Sequence, residues 1–162
     1  MWRAFADIIV VESKRGALAG AANNRAEKGF RGKAMAQNVL ISVVEDDEPF
    51  RDSMRKLVTA LGYAVEVFPS AANFLESPLL GETTCLVTDV QMPGMTGLEL
   101  HRRLVDTGHA IPTILLTAYP DEAARKRALK DGVVCYLRKP VDDDRFERCL
   151  RSALAGSAAP CS

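Results

Sequence analysis

Apolar and polar positions along this chain fall into blocks whose spacing switches repeatedly between that of a strand and that of a helix. Val39-Leu-Ile-Ser-Val-Val44 is a nearly continuous apolar run, the pattern of a central parallel strand buried on both faces. Phe50, Met54, Leu57, Val58 and Leu61 then recur at helical spacing and predict one apolar helix face, ended by Gly62. Ala64–Phe68 reads as a short second strand, and Ser70 as the cap of a brief helix carrying Phe74 and Leu75. Cys85–Thr88 forms the third strand, followed by a helix capped by Thr96 that runs through Leu100 and Leu104. Pro112–Thr117 supplies the fourth strand, Asp121–Lys130 a helix closed by Gly132, and Val133–Leu137 the fifth strand. Asp142–Ala155 is the last helix, with Phe146, Cys149, Leu150, Ala153 and Leu154 on its inner face.

Five strands alternating with five helices predict a doubly wound α/β domain with a parallel sheet over residues 38–156. Such sheets bind ligands beyond the carboxyl ends of their strands, so the residues at those ends carry the candidate chemistry. They are Glu45-Asp46-Asp47 after the first strand, Asp89 after the third, Thr117 after the fourth and Lys139 after the fifth. Carboxylates converging from neighbouring strands repel one another unless a cation sits among them. An oxygen-only donor set without His or Cys favours Mg²⁺. A lysine and a hydroxyl at the same place suit a phosphoryl group, which points to phosphoryl transfer onto Asp89 as nucleophile. Asp47 and Glu48 have a plainer role open to them, capping the first helix.

Composition narrows the class without naming a function. The chain has 162 residues, 48% of them hydrophobic, and 21 basic side chains balance 21 acidic ones. This is an ordinary globular composition, which argues against fibrous and disordered classes. No run approaches the roughly 20 apolar residues of a membrane-spanning helix. Asp7 interrupts the apolar start, which therefore reads poorly as a secretory signal. Cys85, Cys135, Cys149 and Cys161 form no C-x-x-C pair and are expected to be reduced, mostly buried thiols in a cytoplasm. The neutral total conceals a division: residues 1–38 hold seven basic side chains against three acidic, and the remainder 14 against 18. Residues 1–37 accordingly read as a basic, loosely ordered extension, and Met35 is a second candidate start just ahead of the domain.

Four strings on the predicted strand ends carry a family likeness: Val43-Val-Glu-Asp-Asp-Glu-Pro-Phe-Arg51, Val87-Thr-Asp-Val-Gln-Met-Pro-Gly-Met-Thr-Gly97, Leu116-Thr-Ala118 and Leu137-Arg-Lys-Pro140. Together they make the stretch from Asn38 to Gly156 resemble the receiver domain of two-component response regulators, most of all the FixJ-type subgroup. The resemblance implies a flavodoxin-like sheet of order 2-1-3-4-5. It also implies that Asp89 accepts a phosphoryl group from a histidine kinase's phosphohistidine. By the same resemblance Glu45 and Asp46 are the acidic pair, the second ligating Mg²⁺ directly, and Gln91 supplies a metal ligand through its backbone carbonyl. Thr117 is implied as the hydroxyl that moves toward the phosphoryl group, Lys139 as its counter-ion, and Tyr136 as an aromatic switch; ordinary packing in the strand is the other reading of Tyr136. Glu45 stands where the family more often has aspartate. Asp47 offers a second register, but Val44 ends the apolar run and Arg51 follows at the family's spacing, which selects Glu45 and Asp46.

Lys139-Pro140 is expected to be a cis peptide. After the last helix comes only the short tail 157–162, so signalling through a downstream protein is expected, with no direct DNA binding, no membrane association and homodimerisation left open. Arg125, Lys126, Arg127 and Lys130 make the fourth helix basic, either a solvated face or a docking face for an acidic partner. His101 and His109 are expected to face solvent. Two rival readings remain: a Mg²⁺-dependent aspartyl-phosphate phosphatase, which would usually place a second aspartate where Gln91 stands, and a pseudo-receiver scaffold that is never phosphorylated.

Overall fold

The computed structural model describes residues 39–156. Both flanking segments, the basic extension with Met35 and the tail with Cys161, lie outside the described residues. The elements alternate as β1 (Leu40–Val44), α1 (Glu48–Ala60), β2 (Ala64–Phe68), α2 (Ala71–Leu75), β3 (Thr83–Asp89), α3 (Gly97–Asp106), β4 (Thr113–Thr117), α4 (Glu122–Lys130), β5 (Cys135–Arg138) and α5 (Asp143–Leu154). A 3₁₀ turn at Leu80–Glu82, which no periodicity announced, leads into β3. The five strands form one parallel sheet in the order β2-β1-β3-β4-β5. Among the described residues, no helix is long and apolar enough to cross a membrane.

The helices begin where polar side chains satisfy the free amides of a first turn. Asp47, Ser70, Thr96, Asp121 and Asp142 each accept a backbone N–H as the N-cap of α1 to α5 respectively. At α3 the cap is reciprocal, with the Glu99 side chain accepting from Thr96 N while Thr96 Oγ1 accepts from Glu99 N. Glu99 is held below the usual carboxylate range by these Thr96 hydrogen bonds. The capping read for Asp47 is therefore realised, and this residue is committed to α1.

Each face of the sheet buries its own core. On one side Ile41, Val43, Cys85, Val87, Ile114, Leu116, Cys135 and Leu137 meet Met54 and Val58 of α1 and Phe146, Cys149, Leu150 and Ala153 of α5. On the other, Val44, Phe68 and Leu86 meet Phe74 of α2 and Leu100 and Leu104 of α3, with Phe68 and Phe74 packed edge to face. Cys85, Cys135 and Cys149 are buried and form no disulfide among the described residues, as expected, and burial pushes the Cys85 thiol up to about 12.

One expectation fails. His101 is not on the solvent face of α3 but 4% exposed, with Nδ1 2.9 Å from Thr113 Oγ1 and Nε2 3.0 Å from the Asp131 carbonyl. The helix turns it inward, and the imidazole ties α3 to β4 and to the end of α4. His109 is half-buried beside Thr107.

Candidate functional site

Sheet order and register decide which strand ends meet. Val44 aligns with Thr88, so the residues that follow, Glu45 and Asp89, are brought to the same edge from adjacent central strands. Thr117 aligns with Arg138, and the Lys139 amide continues the ladder to the Thr117 carbonyl at 2.8 Å, which sets Lys139 beside the same edge. Asp89 is the last residue of β3 rather than the first of the loop, so its backbone is held by the sheet while its carboxylate lies at the rim. The Lys139-Pro140 peptide is cis, as expected from its sequence.

Glu45, Asp46 and Asp89 each place a carboxylate oxygen within 4.8 Å of the others. The Glu45 side chain is 1% exposed, and both of its oxygens are engaged: Oε1 accepts the Asp47 N–H at 3.1 Å and Oε2 accepts from Lys139 Nζ at 2.7 Å. Burial raises the Glu45 pKa above its ordinary value; hydrogen bonds from Lys139 and the Asp47 amide work against that rise, and the neighbouring Asp89 charge adds to it. Asp89 receives Lys139 Nζ at 3.2 Å on Oδ2 and the Gln91 N–H at 3.3 Å on Oδ1. Asp46 is exposed. Thus Glu45, Asp46, Asp89 and Lys139 converge as the spacing predicted.

Thr117 and Tyr136 sit near the site without joining it. The Thr117 side chain is buried, and its hydroxyl donates to the Tyr119 carbonyl and accepts the Tyr119 N–H, each at 3.1 Å. It is bonded to the β4–α4 loop and not to Asp89 or Lys139. Tyr136, 6% exposed, packs with Leu115, Ala128 and Val133 on the α4 side of the sheet. Gln91 reaches Asp89 through its amide, and its side chain is exposed.

Three further residues build the site. Arg51 donates from one guanidinium nitrogen to the Glu45 carbonyl at 2.7 Å and toward the Asp46 carbonyl at 3.4 Å, fixing the backbone under the acidic pair. The ring of Phe50 has Lys139 Nζ 4.2 Å from its centroid. Gly97 opens α3 against the β3 end, where an added Cβ would stand 2.2 Å from the Asp89 carbonyl oxygen. In the sequence Phe50 showed as a core position and a member of the first motif string, and Gly97 only as part of a motif. Neither contact has a periodicity that could announce it.

The donor chemistry fits a small hard dication. The set is all oxygen, with three carboxyl groups gathered beside one lysine. Mg²⁺ holds ligands at about 2.0–2.1 Å, and the three carboxylate oxygens, all within 4.8 Å of one another, stand close enough together to share one such ion. With both Glu45 oxygens already engaged, contact from that residue through water suits the geometry better than direct ligation.

A family model described as the response regulator receiver domain matches residues 41–151. The chain belongs to this receiver family. It is 36% identical over 124 residues to the transcriptional regulatory protein FixJ of Azorhizobium caulinodans, covering 76% of this chain and 59% of that protein. It is 33% identical over 115 residues to the response regulator protein TodT of Pseudomonas putida, covering 71% of this chain and 51% of that one. The crystal structure of FixJ-N superimposes with a TM-score of 0.67 at 34% identity, over 76% of this chain and 98% of that one. The receiver thus spans little more than half the length of these curated relatives, and its fold is the flavodoxin-like one that the motifs implied.

Proposed function

We propose that this receiver accepts a phosphoryl group on Asp89 from the phosphohistidine of a sensor histidine kinase, with Mg²⁺, and signals through protein–protein contacts. The observation that carries the reading is the placement of Lys139 Nζ between Glu45 and Asp89 beside a cluster of three carboxylates. An Asp89 oxygen attacks phosphorus, the P–N bond to the kinase imidazole breaks, and the imidazole nitrogen keeps the electron pair and takes a proton. Mg²⁺, held by Asp46, Asp89 and the Gln91 carbonyl with Glu45 acting through water, would neutralise charge on the transferring phosphoryl oxygens. Lys139 pairs with the phosphoryl group once it is on Asp89.

Thr117 then exchanges its Tyr119 backbone bonds for a phosphoryl oxygen. That exchange frees the β4–α4 loop and shifts the population of arrangements around α4, β5 and α5. The dense packing of Tyr136 supports its ordinary structural role at least as well as a switch role. Self-catalysed phosphotransfer and hydrolysis are the only chemistry assigned to the chain. A phosphatase acting on external substrates is disfavoured because Gln91 stands where such enzymes need a second acid. A pseudo-receiver is disfavoured by the complete set of acid pair, Asp89, Thr117 and Lys139. FixJ is named a transcriptional regulator, so an end point at DNA through another protein or segment is compatible with the same receiver chemistry; the receiver residues themselves are assigned protein contacts.

The test is incubation with Mg²⁺ and acetyl phosphate followed by intact-mass measurement. The expected result is an adduct of one phosphoryl group that needs Mg²⁺ and is lost in Asp89→Asn. No adduct on the wild type, or an adduct retained by Asp89→Asn, overturns the proposal, while sustained release of phosphate from unrelated phosphoesters would favour the phosphatase.

A further inference from the structure

The side chain of Lys139 is 16% exposed, so its ammonium is largely desolvated and depends on the groups around it. Two are the Glu45 and Asp89 carboxylates, at 2.7 and 3.2 Å. The third is the ring of Phe50, 4.2 Å from ammonium nitrogen to centroid, within the range of a cation–π contact. The ring is rigidly mounted. Phe50 lies in the first turn of α1, its N–H donates to the Asp47 cap at 2.9 Å, and the next residue, Arg51, clamps the Glu45 carbonyl. Its remaining surface packs against the core shared by α1 and α5. One turn of helix therefore fixes both the backbone of the acidic pair and an aromatic surface beside the lysine that faces it.

We propose that Phe50 is a positioning residue for phosphotransfer, its ring holding the Lys139 ammonium at the rim where it can meet a phosphoryl group on Asp89. This rests on the phospho-acceptor reading above. A long, flexible lysine chain loses rotamer freedom when confined, and the ring supplies an attraction that carboxylates busy with a dication cannot. With Asp46 and Asp89 engaged by a bound Mg²⁺, the aromatic contact would remain available to Lys139, because a ring quadrupole does not compete for the metal.

The experiment compares Phe50→Leu, which keeps an apolar side chain in the core but removes the ring, with Phe50→Tyr, which keeps the ring. Two quantities are read: the rate of Asp89 phosphorylation by acetyl phosphate with Mg²⁺, and the NMR shifts of the Lys139 ε-methylene protons, which a ring overhead displaces upfield. Phe50→Leu is expected to slow phosphorylation about threefold to fivefold and to erase the upfield shift. Phe50→Tyr is expected to preserve both. A Phe50→Leu protein that phosphorylates at the wild-type rate overturns the inference and leaves Asp89 as acceptor. Equal slowing in both variants also overturns it, since loss of packing would then explain the effect. A wild type that forms no adduct overturns both readings.

Discussion

Replacing Lys139 by glutamine separates the electrostatic account of the site from a purely structural one. The wild-type ammonium is the cation paired with Glu45, whose side chain is 1% exposed, and with Asp89, 11% exposed. Removing one partner of a buried ion pair typically costs about 3–5 kcal/mol because the other charge is left uncompensated. Here Lys139 keeps some contact with water and Glu45 keeps the Asp47 N–H, so the expected loss is smaller, about 2–3 kcal/mol near neutral pH. For a domain of this size that lowers Tm by roughly 10 °C. The sign with pH follows from Glu45, whose folded pKa is already raised above the ordinary 4.5 by burial and rises further once Lys139 is gone. A carboxyl with a raised folded pKa binds protons more tightly when folded, so the variant regains stability as pH falls from neutral through that raised value, levelling off near 4.5. Urea unfolding of both proteins with EDTA at about pH 7.5 and about pH 5.5 reads this directly, and the gap should narrow at the lower pH. Mg²⁺ should also stabilise the variant more than the wild type, because it restores a missing positive charge. A Lys139→Gln protein as stable as the wild type, or one whose deficit is the same at both pH values, would show that the ammonium does not compensate the buried Glu45.

Gly97→Ala puts a Cβ 2.2 Å from the Asp89 carbonyl oxygen and should cost about 2–3 kcal/mol in urea unfolding while weakening Mg²⁺ binding by titration calorimetry, since α3 must back away from the β3 end. His101→Leu leaves the Asp131 carbonyl without its buried donor and strips a partner from Thr113; a loss of about 1–3 kcal/mol is expected in thermal unfolding, with Mg²⁺ affinity unchanged because the site lies at the other end of the sheet. Cys85, fully buried and pushed up to about 12, should resist a thiol reagent in the native protein at neutral pH and react only when denaturant unfolds it, as peptide mapping would show.

The parallel sheet was legible because β1, β3 and β4 are almost wholly buried and carry apolar centres, broken in β1 only by Ser42 and bounded in β3 and β4 by threonines. Helix starts were legible because Asp47, Ser70, Thr96, Asp121 and Asp142 are side chains that accept a first-turn amide. Boundaries moved where hydrogen bonding and not hydropathy decides them. β3 extends over the polar pair Thr83-Thr84 and through Asp89, and β5 begins at Cys135 although Val133 and Val134 are apolar. The convergence of Glu45, Asp46, Asp89 and Lys139 was legible because each follows or ends a strand of one parallel sheet, and register then aligns those ends. His101 did not, because a polar side chain on a helix reads as solvated until a neighbouring strand offers it a hydroxyl and a helix end offers it a carbonyl. The ring of Phe50 beside Lys139 joins residues 89 positions apart, and only the folded chain brings them together.

Phosphoryl transfer to Asp89 is read most directly by trapping the acyl phosphate chemically. After incubation with Mg²⁺ and a phosphorylated histidine kinase, borohydride reduction converts a phosphorylated aspartate to homoserine, which peptide mass spectrometry locates. Homoserine is expected at position 89 and nowhere else in the receiver, dependent on Mg²⁺. Homoserine at Asp46 or Asp47, or none under conditions in which the kinase loses its phosphoryl group to the protein, would contradict transfer to Asp89.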